Sequence, residues 1–430
     1  MARTAAGFVL LLAALGCGDS ERTDPGALPE TWSEPAVVVG PEAIVAATVG
    51  AAWDDGNALL AWVAEDPEDG SSRLLWSRLD DDAWSEPEPM AEHEGAIEGL
   101  QLARGATRSF LLFCLDAEPK QCSVAAYGEG SMSDAVALPS MGEIDSGPLI
   151  ATTADGAAVI WADEAQLHFV DFDGGALVDA GTRAVRDGRL HAAARVGGVS
   201  LLVVESDDTL LAFERSAAGW SDPTTIWEGP RLHHALQLGC SGGGRAVALW
   251  QQERSGASDP MLVARFEDGR WSEPSGVPAG DETDGPRVAI DGAGRIHVAW
   301  AAGGSDSLHA LAGDGDTWAS PTALRELESG AGPDLYGLGL TDAGDGLLLW
   351  RERVEGESLW RAELRDGHWG EPVRVVEATE ASGDNLEGAQ LFMAERGAVI
   401  VWRTHAEGSQ ICDIDYCRPG PSTLSATVGR

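Results

Sequence analysis

The chain has 430 residues, 44% of them hydrophobic and 23% charged, with 54 glycines and 21 prolines, a composition that excludes disorder, collagen and coiled coil. Asp and Glu number 70 against 29 Lys and Arg, for a formal net charge of −41, and a field of that sign repels phosphate backbones and anionic lipid surfaces. Nucleic acid is thereby excluded as a partner, while length alone leaves the domain count open.

The amino terminus reads as an address. Arg3 precedes an apolar run from Ala5 to Leu15, about the length of a signal-peptide core and short of the roughly 20 residues of a membrane-spanning helix. The run ends in Ala14-Leu15-Gly16-Cys17. This resembles the bacterial lipobox, although Ala14 stands where the usual box has leucine. The resemblance implies a signal peptide over 1–16, lipid attachment at Cys17, and a place in the bacterial cell envelope, at the outer membrane or on the periplasmic side. A plain secretory signal is the alternative. Residues 17–29 are polar and contain proline, as a tether requires, and the membrane is a partner through the lipid anchor only.

Export licenses disulfides. Cys114 and Cys122 flank the turn-like Asp116-Ala117-Glu118-Pro119 and are expected to face each other across a hairpin. On one straight strand Cys412 and Cys417 would lie about 16 Å apart, beyond the ~7 Å limit for a bridge, so they pair only if the chain turns at Asp413 to Asp415. Cys240 has no evident partner and is expected to be a small buried residue.

A repeat of about 48 residues organises the rest. Trp32-Ser33-Glu34-Pro35 recurs as Trp84-Ser85-Glu86-Pro87, Trp220-Ser221-Asp222-Pro223, Trp271-Ser272-Glu273-Pro274, Trp318-Ala319-Ser320-Pro321 and Trp369-Gly370-Glu371-Pro372. Degenerate copies stand at Met132-Ser133-Asp134 and from Ala176. A second series ends apolar runs at Trp62, Cys114, Trp161, Val204, Trp250, Trp300, Trp350 and Trp402. Each unit reads as four short strands; Asp268-Gly269 and Asp366-Gly367 suit two-residue hairpin turns between the third and fourth.

Four antiparallel strands per 40–50 residues describe the blades of an all-β propeller, with the tryptophans between blades, each contributing roughly 4–6 kcal/mol as an upper bound. The expected domain spans residues 30–418, followed by a C-terminal tail at 419–430. Eight blades are expected, with seven as the alternative if the degenerate units are incomplete. The last unit takes Gln410 to Asp415 as its third strand and lacks a fourth, so the strand from Trp32 to Val39 is expected to complete it and close the ring, leaving no exposed sheet edges there.

At these residues the chain resembles the sialidase-like superfamily of propellers, whose hairpins carry a Ser-x-Asp-x-Gly-x-x-Trp box. In Asp268-Gly269-Arg270-Trp271 the acid and glycine sit closer to the aromatic and the box serine is missing. None of the three tyrosines carries the motif of the catalytic members, which grip a carboxylate with an arginine triad. A second resemblance, by size and anchor, is to eight-bladed quinoprotein-like lipoproteins of outer-membrane assembly.

In a propeller the starts of the innermost strands surround one channel mouth. Arg189, Arg231, His233, Arg287, Asp334 and Tyr336 fall there. Three guanidinium groups from adjacent blades suit a carboxylate or sulfate; the bland alternative is that they pair with this chain's many acids. His233 and His234 point to opposite faces of a strand and so do not share an ion. Gly239-Cys240-Ser241-Gly242-Gly243 imitates a nucleophile elbow, but lies between two strands rather than at a strand-to-helix turn. Asp171-Phe172-Asp173-Gly174 reads as a hairpin turn. No cofactor, catalytic residue or metal site is expected, apart from weak calcium binding by acidic loops such as Asp80-Asp81-Asp82. The expected function is that of a monomeric, non-catalytic binding or scaffolding module for a glycan or an envelope protein. The alternative is a glycan-active hydrolase or lyase that uses the three arginines with Tyr336.

Overall fold

Short apolar runs broken every few residues by Gly, Asp and Pro favour strands, and every regular element among the described residues of the computed structural model is a β-strand. It describes residues 28–429, apart from 41–43, 54–56, 67, 81–82, 106–107, 143, 145, 230–231, 233–235, 253–259, 281–282, 303–306, 328–332, 354–355, 380–383, 395–396, 407–409, 414–415 and 420–421. Eight small antiparallel sheets follow one another, each with its first, second, third and outer strands side by side. Blade 1 runs from Ile44 to His93, blade 2 from Ile97 to Ala137, blade 3 from Ser146 to Ala184 and blade 4 from Arg189 to Glu228. Blade 5 runs from Gln237 to Gly276, blade 6 from Thr283 to Glu326 and blade 7 from Asp334 to Thr379. The molecule is an eight-bladed β-propeller, and the units around Met132 and Ala176 are full blades.

Blade 8 joins the two ends of the chain. Asp384–Met393, Ala398–Ala406 and Ser422–Gly429 are its first three strands, and Ala36–Val39 is the outer one. This corrects the expected tail at 419–430. Leu424, Ala426 and Val428 alternate inward and are buried, the period-2 pattern of a half-buried strand. The stretch read as the third strand instead forms an inserted hairpin, Gln410–Asp413 against Tyr416–Pro419, with Cys412 and Cys417 directly opposite each other.

The recurring Trp-Ser-acid-Pro motif has a specific job. Past the third-to-outer hairpin the Ser85 N–H donates to the Arg78 carbonyl at 2.8 Å, and the Ser85 hydroxyl accepts from the Arg78 N–H at 3.2 Å. The same reciprocal pair joins Ser133 to Ala126, Ser221 to Glu214 and Ser272 to Arg265. A hydroxyl thus stands in for a ladder carbonyl where the strand turns away, a turn that proline, which lacks an N–H, reinforces after Ser85, Ser221 and Ser272 but not after Ser133. Ser33 repeats the arrangement with Val428 at the ring closure, at 2.8 and 3.1 Å. Asp268-Gly269 and Asp366-Gly367 take positive φ at both positions, 51° and 71° in the first and 49° and 74° in the second, as their hairpins require.

Eight apolar clusters of described residues occupy the gaps between successive blades, including the gap between blades 8 and 1. Trp62, Trp161, Trp250, Trp300, Trp350 and Trp402 are buried, each facing the preceding blade. In blade 2 the equivalent is Phe113, which faces blade 1, whereas Cys114 faces blade 3. The sequence register is therefore off by one residue there, and a one-residue shift changes the face. Cys114 is bonded to Cys122 across the second and third strands. Cys240 departs from its expected role: it is half-buried and disulfide-bonded, its partner lying outside the described contacts.

Replacing Trp350 by Ala is expected to lower unfolding free energy by about 3–5 kcal/mol, and Ser33→Ala by about 1 kcal/mol, both measurable by urea denaturation. His297 in blade 6 is buried with Nε2 unpartnered, and burial, aided by the nearby Arg295 charge, pushes its pKa down to about 4. The unfolded imidazole binds its proton near pH 6.5, so stability is full above that pH and falls as pH drops towards 4, by about 3 kcal/mol. His297→Gln should flatten this limb in denaturation midpoints taken between pH 7 and 4.

Candidate functional site

The strand order gives the ring two unlike faces. The lower face carries the hairpins between first and second strands and between third and outer strands. The upper face carries the connections into each first strand and the second-to-third turns. First strands pair irregularly near their upper ends in blades 1, 2, 3, 4, 6, 7 and 8, and such bulges re-aim side chains.

In blade 4 the bulge falls at His191, between Leu190 and Ala192. The ring turns to Glu205, with His191 Nε2 and Glu205 Oε2 3.1 Å apart, both side chains nearly buried. The other carboxylate oxygen accepts the Leu232 N–H, which leads into blade 5, at 3.2 Å. Burial alone would raise the Glu205 pKa, but the His191 and Leu232 hydrogen bonds and the Arg189 charge outweigh it and hold the carboxyl below its ordinary value. Glu205 pairs in the ladder with Arg189. Around these two, Asp187, Asp207 and Asp208 complete an open pocket of about 270 Å³. Asp187 and Asp207 sit in turns at φ 48° and 51°, the left-handed conformation that short polar side chains tolerate best among non-glycine residues. Four carboxylates around one guanidinium offer hydrogen-bond acceptors to hydroxyl or amine groups and one fork for an anionic group.

In blade 7 the bulge falls at Tyr336. Burial pushes its hydroxyl up to about 12. Beside it Arg351 bonds Asp334 through Nε at 3.1 Å and lies 3.3 Å from Glu357, and Arg353 contacts the same two acids at 3.1 and 3.5 Å. Arg351 Nη1 also reaches the Leu386 carbonyl of blade 8 at 2.7 Å. Burial would weaken the hold of Arg351 on its proton, but Tyr336 and Asp334 outweigh it and raise its pKa. Asp334 is thus part of a self-neutralised cluster.

Of the three candidate arginines, the two described ones sit in different settings. Arg189 is exposed at the blade 4 pocket. Arg287 follows the Gly285-Pro286 bulge, is half-buried, and donates to the Gly285 and Pro286 carbonyls at 3.1 and 3.0 Å and to the Leu335 carbonyl of blade 7. Its burial lowers its pKa despite the nearby Asp284. Arg287 thus ties blade 6 to blade 7. Arg231, His233 and Cys17 lie outside the described residues.

Sequence reasoning missed Glu205, His191 and the three pocket aspartates. The available signal was a lone acid closing the apolar strand Val199–Ser206, one strand away from Arg189.

At the lower end of the channel, blades two apart touch. The Asp342 carboxylate, in the blade 7 hairpin, accepts the Gly242 N–H of blade 5 at 2.8 Å, and its carbonyl accepts the Gly292 N–H of blade 6 at 3.1 Å. Burial, with Asp291 nearby, raises the Asp342 pKa. Arg104 of blade 2 reaches the Met393 carbonyl of blade 8 at 3.3 Å. Ser241, in the elbow-like segment, is one residue of this blade 5 turn, and Asp173 accepts from the Gly175 and Ala176 N–H groups in a hairpin turn of blade 3. Among the described residues, no three His, Cys, Asp or Glu side chains are grouped to hold a metal ion.

No known family profile matches the chain, and no curated protein matches it. Solved structures similar to it include a prolyl endopeptidase (11% identity, 86% of this chain and 56% of that one, TM-score 0.49). The Dos1 propeller is similar at 11% identity, over 93% of this chain and 94% of that one, with TM-score 0.48. A subtype N11 neuraminidase-like protein is similar at 9% identity, over 67% of this chain and 89% of that one, with TM-score 0.38. The chain spans 56% of the prolyl endopeptidase and 52% of a puromycin-hydrolyzing peptidase that it also resembles. These are likenesses of fold.

Glu205→Ala strands both His191 and the Leu232 N–H and is expected to cost about 2–3 kcal/mol, whereas Asp208→Ala at the exposed rim should change stability by less than about 0.5 kcal/mol. Thermal unfolding of the two variants side by side checks the difference.

Proposed function

We propose that the chain is a lipid-anchored, extracytoplasmic propeller that binds a glycan or an envelope protein at its upper face without catalysis. One observation carries the reading: Arg287 of blade 6 and Arg351 and Asp334 of blade 7 are committed to backbone carbonyls and to one another, while Arg189 and the turn aspartates of blade 4 line an open pocket. Hydroxyl-rich ligands and basic peptide side chains both suit carboxylates in such a pocket. The lipobox-like Ala14-Leu15-Gly16-Cys17 supplies the anchor, and acidic loops supply weak calcium binding.

The sialidase-like alternative needs three arginines converging on one carboxylate and a tyrosine able to ionise. Arg287 spends its donors on three carbonyls, and the Tyr336 hydroxyl is held near 12, unfavourable for a nucleophile at neutral pH. Both facts favour binding over turnover.

A glycan array and an envelope-extract pull-down with the mature domain test the reading. Arg189→Ala and Asp208→Ala should each weaken retention at least tenfold with the unfolding temperature unchanged, whereas Arg287→Ala should lower the unfolding temperature. Hydrolysis of an acidic glycan that is abolished by Tyr336→Phe would overturn the non-catalytic reading. Cys17→Ser should move the chain from the membrane to the soluble fraction.

A further inference from the structure

We infer that the lower face of the propeller is turned to the lipid surface, so that the blade 4 pocket opens away from the membrane. The inference rests on the lipid-anchored reading of Cys17 and adds an orientation to it. The first described residues lie at the lower face. Leu28 is 2% exposed, packed with Leu347, Leu349 and Leu359 of blade 7 and Ile400 of blade 8. The next residue is pinned too, since the Pro29 carbonyl accepts from Arg365 Nη2 at 2.7 Å. Trp32 donates through Nε1 to Glu363 at 3.2 Å, and the Arg361 guanidinium lies 4.2 Å above its ring. Glu363 and Arg365 close the third strand of blade 7 at its lower hairpin, and Trp32 bridges Gly429, the lower end of the third strand of blade 8.

Leu28, Pro29 and Trp32 are therefore held at a fixed point of the lower face. Between Cys17 and Leu28 stand ten residues, Gly18 to Ala27. Fully extended, that linkage reaches about 40 Å, and as a flexible coil about 20 Å on average. Strands of about eight residues make each blade ~26 Å tall. An inverted body would have to lead the tether outwards to the rim and then along the whole blade height, which consumes its extended length and forfeits its conformational entropy. With the lower face down, the coil length is enough.

The test uses the lipidated mature protein in phosphatidylethanolamine and phosphatidylglycerol vesicles whose headgroups carry an energy-transfer acceptor. A donor dye is attached through an azide-bearing non-natural residue replacing Asp268 or Asp366 on lower hairpins, or Glu164 or Asp208 on upper turns. Transfer at least twofold more efficient from the lower sites is expected, and a 30-residue Gly/Ser insertion after Ala27 should bring the two sets together. Equal transfer in the parent protein, or greater transfer from the upper sites, overturns the orientation while the anchor stands. Recovery of the unlabelled parent chain in the soluble fraction, like that of Cys17→Ser, overturns both.

Discussion

Everything in this molecule depends on a pairing between residues almost four hundred positions apart. Ala36–Val39 and the turn before it lie against Ser422–Gly429, with Ser33 exchanging two hydrogen bonds with Val428 and the Thr427 hydroxyl donating to the Ser33 carbonyl at 2.7 Å. The contact is chemically the same as the one inside blades 1, 2, 4 and 5, but here it joins the ends of the chain instead of neighbouring strands. Without it blade 8 lacks its outer strand, and Leu28 and Trp32 lose the sites that hold blades 7 and 8 together at the lower face.

Around that seam, side chains do what a sheet cannot, because neighbouring blades share no strand ladder. Gln101 grips the next first strand at both the Pro148 carbonyl and the Ile150 N–H. Gln390 reaches the Thr48 carbonyl across the seam at 2.8 Å. Ser146, Glu205 and Ser422 each accept a backbone N–H from the start of the following blade. Arginine serves the same end: Arg78, Arg108, Arg183 and Arg287 all place a guanidinium on a carbonyl of the neighbouring blade. A planar fork of donors suits this better than a single ammonium, which gives the 28 arginines beside the lone Lys120 a structural use. The blade 4 pocket lies where one such connector, Glu205, is flanked by turn aspartates rather than by another blade's guanidinium.

The fold was legible because its two signals are periodic and physically distinct. A buried aromatic facing the preceding blade and a turn motif that substitutes a hydroxyl for a carbonyl recur with the same spacing, and together they specify four-stranded units and their count. Boundaries were legible only where those signals are present. Phe113 escaped because its neighbour Cys114 is equally buried, and both alternatives satisfy the spacing. The last strand escaped because an inserted hairpin stands where the third strand was due and the true strand carries no tryptophan. The upper face was legible as a location but not as chemistry. Whether Arg189 is open to solvent and Arg287 is consumed depends on which way a bulged strand rotates its side chains, and on which carbonyl the next blade presents. Neither is written in the spacing of residues along one chain.

The position of Ser422–Gly429 as an interior strand also sets an order of events. Strands of blades 1 to 7 find their partners within some fifty residues and can assemble as they emerge, but the aminoterminal strand has nothing to dock on until the final residues arrive. The wheel therefore stays open until Ser422–Gly429 has been made. A copy lacking Ser422–Gly429 would leave both Ala36–Val39 and Ala398–Ala406 with an unpaired edge, open to chaperones and proteases.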